Sequence, residues 1–183
     1  MRRMLPLCLF AICLARPVFA TVVFDPTVER LTAAATRIVH GIVASNEVIP
    51  DGRSLTTVTQ IRVIAEWKTK GAVPATVEVR QPGGTLSGRH VEVPGAAKFT
   101  VGEEVVVFLQ PLPPSNAFTT VALSAAKFSL DRGGGSPKVS RALGDVAVMR
   151  PRVNGAPSDA ASAPESPVVL SAFEARVRAA VGR

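Results

Sequence analysis

Between residues 37 and 130 the apolar positions fall in short runs of β-branched residues, separated by glycine, proline and aspartate. Such runs predict strands bounded by turns. The densest, over 37–45, reads Arg-Ile-Val-His-Gly-Ile-Val-Ala-Ser, and Gly41 inside it suggests a bulge or a close backbone approach. Pro50-Asp51-Gly52 supplies turn chemistry before a long strand over 54–67, so the two runs are expected to form a hairpin. Val77 and Val79 alternate with Glu78 and Arg80, a period of two that marks a half-buried strand over 75–80. A loop over 82–88, a short strand over 90–93 and an apolar strand over 103–109 follow. Return strands are expected over 118–123 and 127–130, and an edge strand over 146–149. Five to seven short strands predict a mainly β fold, a closed or partly open barrel or a sandwich.

Helical spacing occurs only at the two flanks of this region. Asp25 and Pro26 have the residue types of an N-cap and a first helical position, and Val28, Leu31 and Ala35 follow at i, i+3, i+7, predicting a short helix over 26–35. Residues 151–168 are rich in Pro, Ala and Ser and form a linker with too little apolar surface to fold alone. Beyond it, over 169–183, Ser171 and Glu174 have capping-box spacing, and Phe173, Val177 and Val181 form one apolar stripe. This amphipathic helix is expected to dock on the β domain, with a partner groove or a membrane surface as the other destinations for its stripe.

The first twenty residues change the picture of the whole chain. Arg2-Arg3, the apolar stretch from Leu5 to Leu14 and Val18-Phe19-Ala20 have the form of a cleavable signal peptide, with Thr21 as the first residue after cleavage. The expected organisation is therefore a signal over 1–20, a β-barrel domain over 21–150, the linker and the terminal helix. Export to the periplasm or medium follows, with no transmembrane anchor. Cys8 and Cys13, the two cysteines of the chain, lie in the signal, so the exported fold must stand without disulfides. Removal of Arg2, Arg3 and Arg16 also takes three charges from the formal net of +7.

The remaining surplus is concentrated in Lys127, Arg132, Lys138, Arg141, Arg150 and Arg152. A basic face of this kind attracts anionic polymers over long range. Nucleic acid is disfavoured as the polymer, because single-strand sites stack bases on aromatic rings and this chain has one Trp and no Tyr. Among catalytic patterns, the nearest approach to a nucleophile elbow is Gly84-Thr85-Leu86-Ser87-Gly88, which has Thr85 where that motif needs glycine. The loop from Gly83 to His90 lacks the lysine of a phosphate-binding loop. His40 is expected to pack within its strand and His90 to be exposed. Glu103 and Glu104 are adjacent, so on a strand they point to opposite faces and do not form an acid–base pair. No catalytic residue, metal ligand or cofactor is assigned.

The order of pieces resembles the netrin-like module: a short helix, then Ile38-Val39-His40-Gly41-Ile42-Val43, a long strand ending Trp67-Lys68-Thr69-Lys70-Gly71, Val77 to Val79, and Phe99 through Gly102-Glu103 to Val105-Val106-Val107-Phe108-Leu109. The likeness covers about residues 26–130 and extends to secreted bacterial proteins of the same layout. It implies an OB-like barrel and a binding role, the family including tissue inhibitors of metalloproteinases. Those inhibitors present an N-terminal cysteine to the protease zinc, whereas the expected mature chain starts at Thr21.

The function expected from these features is an exported, non-enzymatic binding module that contacts an extracytoplasmic partner protein or an anionic envelope polymer. A metallopeptidase inhibitor and a structural envelope component are the alternatives. The residues expected to make partner contacts are Thr21, Trp67, Arg132, Lys138, Arg141, Phe173 and Val177. Trp67 has a competing role in the interior, closing the barrel end.

Overall fold

The computed structural model describes residues 21–24, 27–69, 71–141, 146–149 and 166–182. The expected signal, Asp25, Pro26 and residues 151–165 of the expected linker lie outside the described residues. The chain starts with β1 (Thr21–Phe24) and helix α1 (Val28–Ala34), then β2 (Arg37–Asp51) and β3 (Ser54–Lys68). Thr27 caps α1 through its side-chain oxygen, which accepts from Arg30 N–H. The cap is thus two residues beyond the expected Asp25, because α1 starts at Val28, whose side chain is the first to be buried.

β2 and β3 form the expected hairpin, longer than the 37–45 run suggested. Pairing continues to Asp51 opposite Ser54, across a turn in which Gly52 adopts φ +56°. The polar residues Ser45, Asn46 and Glu47 did not mark the end of the strand, because both faces there reach solvent while the backbone ladder continues. β2 carries register shifts, one of them between His40 and Gly41. At Gly41 a Cβ would lie 2.5 Å from the Arg62 carbonyl oxygen, so a side chain there collides with the neighbouring strand's backbone. The bulge and the close approach expected from that glycine are both present.

Next come β4 (Thr76–Pro82), the small strands β5 (Gly84–Leu86) and β6 (Arg89–Val91), β7 (Glu104–Pro111) and β8 (Phe118–Thr120). β5 lies inside the segment expected to be a loop and pairs as a hairpin with β6, which falls at the start of the short strand expected over 90–93. Gly83 and Gly84, at φ +99° and +140°, provide the backbone conformations it requires. Around the main sheet, β2 pairs with β3, β3 with β4, β4 with β8, β8 with β7, and β7 with β2. These five strands form the ring of a partly open, OB-like barrel. Its weakest closure is between β4 and β8, which are joined by one parallel pair, Val79 with Phe118.

A short 3-10 turn, Leu123–Ala126, sends the chain from β8 to β9 (Lys127–Asp131). Both strands then use the same edge of β7: β8 beside Leu109 to Pro111, and β9 beside Val105 to Val107. β8 closes the ring, whereas β9 extends the sheet outward through β10 (Lys138–Ser140) to β12 (Val168–Val169). β11 (Val146–Met149) is the expected edge strand, but it pairs in parallel with β1 rather than joining the main sheet. Helix α2 (Leu170–Val181) completes the described chain.

The sheet separates two cores. Inside the ring lie Val39, Val43, Ile61, Val77, Val79, Val105, Val107 and Leu109. On the opposite face, under α1 and α2, lie Leu31, Ile38, Trp67, Val106, Phe108, Phe128, Phe173 and Val177. The run Val105 to Leu109 is apolar throughout because alternate residues serve alternate cores. The terminal helix therefore docks on the sheet as part of the main core, and Arg176 fastens it to α1 through two bonds to Glu29, 2.6 and 2.9 Å. The expected Ser171 capping box does not form. α2 begins two residues earlier than a Ser171 cap implies, with Val169 as N-cap and no side-chain cap, while Glu174 pairs with Arg178 one turn along.

Candidate functional site

β4 presents Val77 and Val79 to the barrel interior, so Thr76, Glu78 and Arg80 fall on its outer face. Beyond the single bridge to β8, the outer edge of β4 borders a groove of about 500 Å³. Gln60 of β3, Thr76, Glu78 and Arg80 of β4, and Asn116 and Phe118 at the entry to β8 line it. Glu78 is held from two sides: Gln60 Nε2 donates to Oε2 at 3.0 Å and Arg80 Nε to Oε1 at 2.8 Å. At the inner end Arg37 reaches into the groove from β2. Its Nη1 donates to Glu66 Oε1 at 2.5 Å, and its guanidinium lies 5.3 Å from the centre of the Phe118 ring. Glu66 is almost fully enclosed, its side chain 1% exposed, and its second oxygen has no hydrogen-bond partner.

This arrangement combines a strand edge, amide side chains, charges of both signs and one aromatic wall. Its elements are the second and third strands of the ring and the loop between the fourth and fifth.

The chemistry-bearing residues singled out in the sequence lie elsewhere. His40 is buried beside Trp67, with ring centroids 5.8 Å apart, and its Nε2 is 2.7 Å from Glu104 Oε1. Glu104 also accepts from Arg132, Nε to Oε2 at 2.6 Å and Nη2 to Oε1 at 2.5 Å. The Arg132 bonds hold the Glu104 carboxyl below the usual glutamate value, against burial and with help from His40. Glu103 points to the other face, as expected, where Lys127 approaches Oε1 at 2.7 Å and Ser129 Oγ donates to the same atom at 2.5 Å. Burial pushes the Glu103 carboxyl up, but the bonds from Lys127, Ser129 and the Thr100 N–H outweigh it and the net shift is downward. His90 is exposed, its Nδ1 2.8 Å from Thr85 Oγ1. Among the described residues no three His, Cys, Asp or Glu side chains form a metal-binding group.

Both carboxylates are thus more acidic in the folded protein than at the free value of 4.5. Their contribution to stability is complete above that value and lost as pH falls below it toward the lower folded values. Unfolding free energy from urea titrations is expected to drop as pH falls below 4.5. A Glu103→Gln/Glu104→Gln variant is expected to show a shallower drop; an unchanged slope contradicts this assignment.

The residues expected to contact a partner divide into four groups. Trp67, 4% exposed, packs against Phe173, and both join Val177 in the helix-side core, so they are enclosed instead of presented to a partner. For these three, apolar character signalled the interior: Trp67 closes the core beneath the helices, not a barrel end. Arg141 is half-buried, its guanidinium 5.2 Å from the Phe128 ring centre and Nη1 donating to the Ala125 carbonyl. Arg132, just after β9, and Lys138, the first residue of β10, stand exposed, Arg132 already engaged by Glu104. Thr21 opens β1, in register with Val146 of β11. Arg150 and Arg152 lie outside the described residues.

Arg37, Glu66, Asn116 and Phe118 were not singled out in the sequence. A charge at each end of an apolar run, Arg37 before Ile38 and Glu66 before Trp67, was the available signal, since charges enclosed by such strands are paired. No protein-family model matches the sequence, and no curated protein matches it significantly.

Proposed function

We propose that the protein is an exported, non-enzymatic binding module whose β4–β8 groove receives an extended segment of a partner protein. The observation that carries this reading is the one-pair closure of the ring at Val79 and Phe118, beside which the edge of β4 borders the groove. An added peptide strand gains main-chain hydrogen bonds from such an edge, and neighbouring side-chain sites select its residues. Glu78, Arg80 and Asn116 are placed to make that selection. The engagement of His40 by Glu104, and of both glutamates by cations, supports a non-catalytic role. The netrin-like layout supports a binding module of OB type, without carrying over the inhibitors' N-terminal mechanism.

A photo-crosslinking residue at position 116 is expected to capture a discrete protein in cells making the full chain, and the same residue at position 138 is not. An Asn116→Trp substitution, which fills the groove, is expected to reduce retention of that protein about tenfold, the effect of losing roughly 1.4 kcal/mol. Retention unaffected by Asn116→Trp but lost in Lys138→Glu overturns the groove assignment in favour of an anionic polymer on the basic face.

A further inference from the structure

The backbone of β4 is turned so that its open edge faces the groove. At the two ends of the β3–β4 pairing, the Ala75 carbonyl accepts from Val63 N–H and Gly83 N–H donates to the Leu55 carbonyl. In an antiparallel ladder every second residue bonds to the partner strand. The odd-numbered positions of β4 therefore serve β3, while Thr76, Glu78 and Arg80 direct their N–H and C=O groups to the opposite edge. Thr76 and Glu78 precede the single bridge to β8 at Val79.

A strand laid along that edge continues the alternation of β4. One set of its side chains falls beside Val77 and Phe118, which pack with the core of the ring, and meets an apolar surface. The other set falls beside Thr76, Glu78 and Arg80 on the outer face. Arg62 belongs to this face as well, since it is paired with Thr76 and paired residues carry their side chains on the same side.

The outer face is cationic where the added strand would lie. Arg62 is exposed, and its side chain makes no hydrogen bond or ion pair among the described residues. Arg80 commits Nε to Glu78 and leaves both Nη groups without a partner, whereas both Glu78 oxygens are engaged, one by Arg80 and one by Gln60. Two cations thus stand beside one acid that is already bonded twice. Arg37 adds nothing to this sum, because the enclosed Glu66 balances it. Glu47 of β2, a further acid on the outer face, pairs with Val58 and is separated from β4 by the width of β3.

We propose, on the reading that the groove receives an extended segment of a partner protein, that this segment is acidic. Asp or Glu at alternate positions faces Arg62 and Arg80, and the apolar residues between them face Val77 and Phe118. Each carboxylate accepts charge-assisted bonds from donors that the fold leaves unspent. A segment with Lys or Arg at the same positions meets like charge, which selects against it.

Short acetylated, amidated peptides in which valine alternates with glutamate, with glutamine or with lysine are the probes, titrated into the folded protein and followed by amide NMR. The glutamate peptide is expected to bind saturably, with shifts centred on Thr76, Glu78 and Phe118. Its affinity is expected to exceed that of the glutamine peptide about tenfold, as two surface ion pairs of about threefold each provide, and the lysine peptide is expected to be the weakest. Added salt is expected to narrow these differences. Arg62→Gln and Arg80→Gln are each expected to weaken the glutamate peptide about threefold, whereas Lys138→Gln, which removes the same charge from β10, leaves it unchanged. Equal affinity of the three peptides for the groove overturns the acidic assignment and leaves the groove reading standing. Equal sensitivity to Lys138→Gln and to the two groove variants also overturns it, since the attraction then belongs to net charge alone. No saturable binding by any of the peptides, or shifts centred outside the groove, overturns both.

Discussion

Phe173→Ala is expected to lower the unfolding free energy by about 3–5 kcal/mol, a large part of the roughly 5–15 kcal/mol that holds a domain of this size together. The ring is 3% exposed and contacts three others, with centroids 4.7 Å from Phe128, 6.1 Å from Trp67 and 6.4 Å from Phe108, the last edge-on. Truncation removes the main plug between α2 and the sheet. The pockets left on Trp67, Phe108 and Phe128 lie on three different elements and do not collapse together. Trp67 is the single tryptophan of the chain, so its emission reports the site directly. Denaturant unfolding is expected at much lower urea, and the native-state emission is expected to move to the red as α2 loosens over Trp67. A loss under about 1 kcal/mol with unchanged emission would show that the helix contributes little to this core.

Glu66→Ala is expected to cost a comparable amount, about 3–5 kcal/mol, for a different reason. The substitution strands the Arg37 guanidinium, whose side chain is 11% exposed, with the Ala72 carbonyl at 3.5 Å and the Phe118 ring as its remaining contacts. Most of the cost is that of an enclosed charge without a counter-ion, not the value of the bond itself. Replacing both partners, Arg37→Met with Glu66→Leu, is therefore expected to recover most of the stability, or to exceed it. The unpartnered second oxygen of Glu66 marks the native pair as imperfectly satisfied. A double-mutant cycle separates the two contributions. Additive losses in the double variant would show that the ion pair does not account for the single-variant cost.

Much of the architecture was legible because backbone signals are local. Pro50-Asp51-Gly52 marked the β2–β3 turn, Gly41 marked the bulge, and alternation over Val77 to Arg80 marked β4. What could not be read depended on contacts distant in the chain. β10 and β12 are two or three residues long and exist because neighbouring strands present an edge, and β1 is paired through β11, more than a hundred residues away. The β5–β6 hairpin is a shorter-range case, in which glycine-rich composition looked like an open loop but supplied the geometry of a tight turn. The apolar stripe of α2 was legible as a stripe, whereas the surface it covers was fixed only by Trp67, Phe108 and Phe128 meeting from separate strands. The groove was hidden for the same reason. Arg37 and Glu66 are 29 positions apart, and neither residue belongs to a motif.

Phe173 and Val177 follow every strand of the sheet in the chain, and the contact from Arg176 to Glu29 spans 147 positions. During synthesis from the N-terminus, the face formed by Ile38, Val106 and Phe108 is complete in sequence long before anything is available to cover it. The native state is therefore out of reach of a growing chain until α2 has emerged, and a chain still lacking α2 keeps an uncovered apolar surface of the kind that chaperones hold.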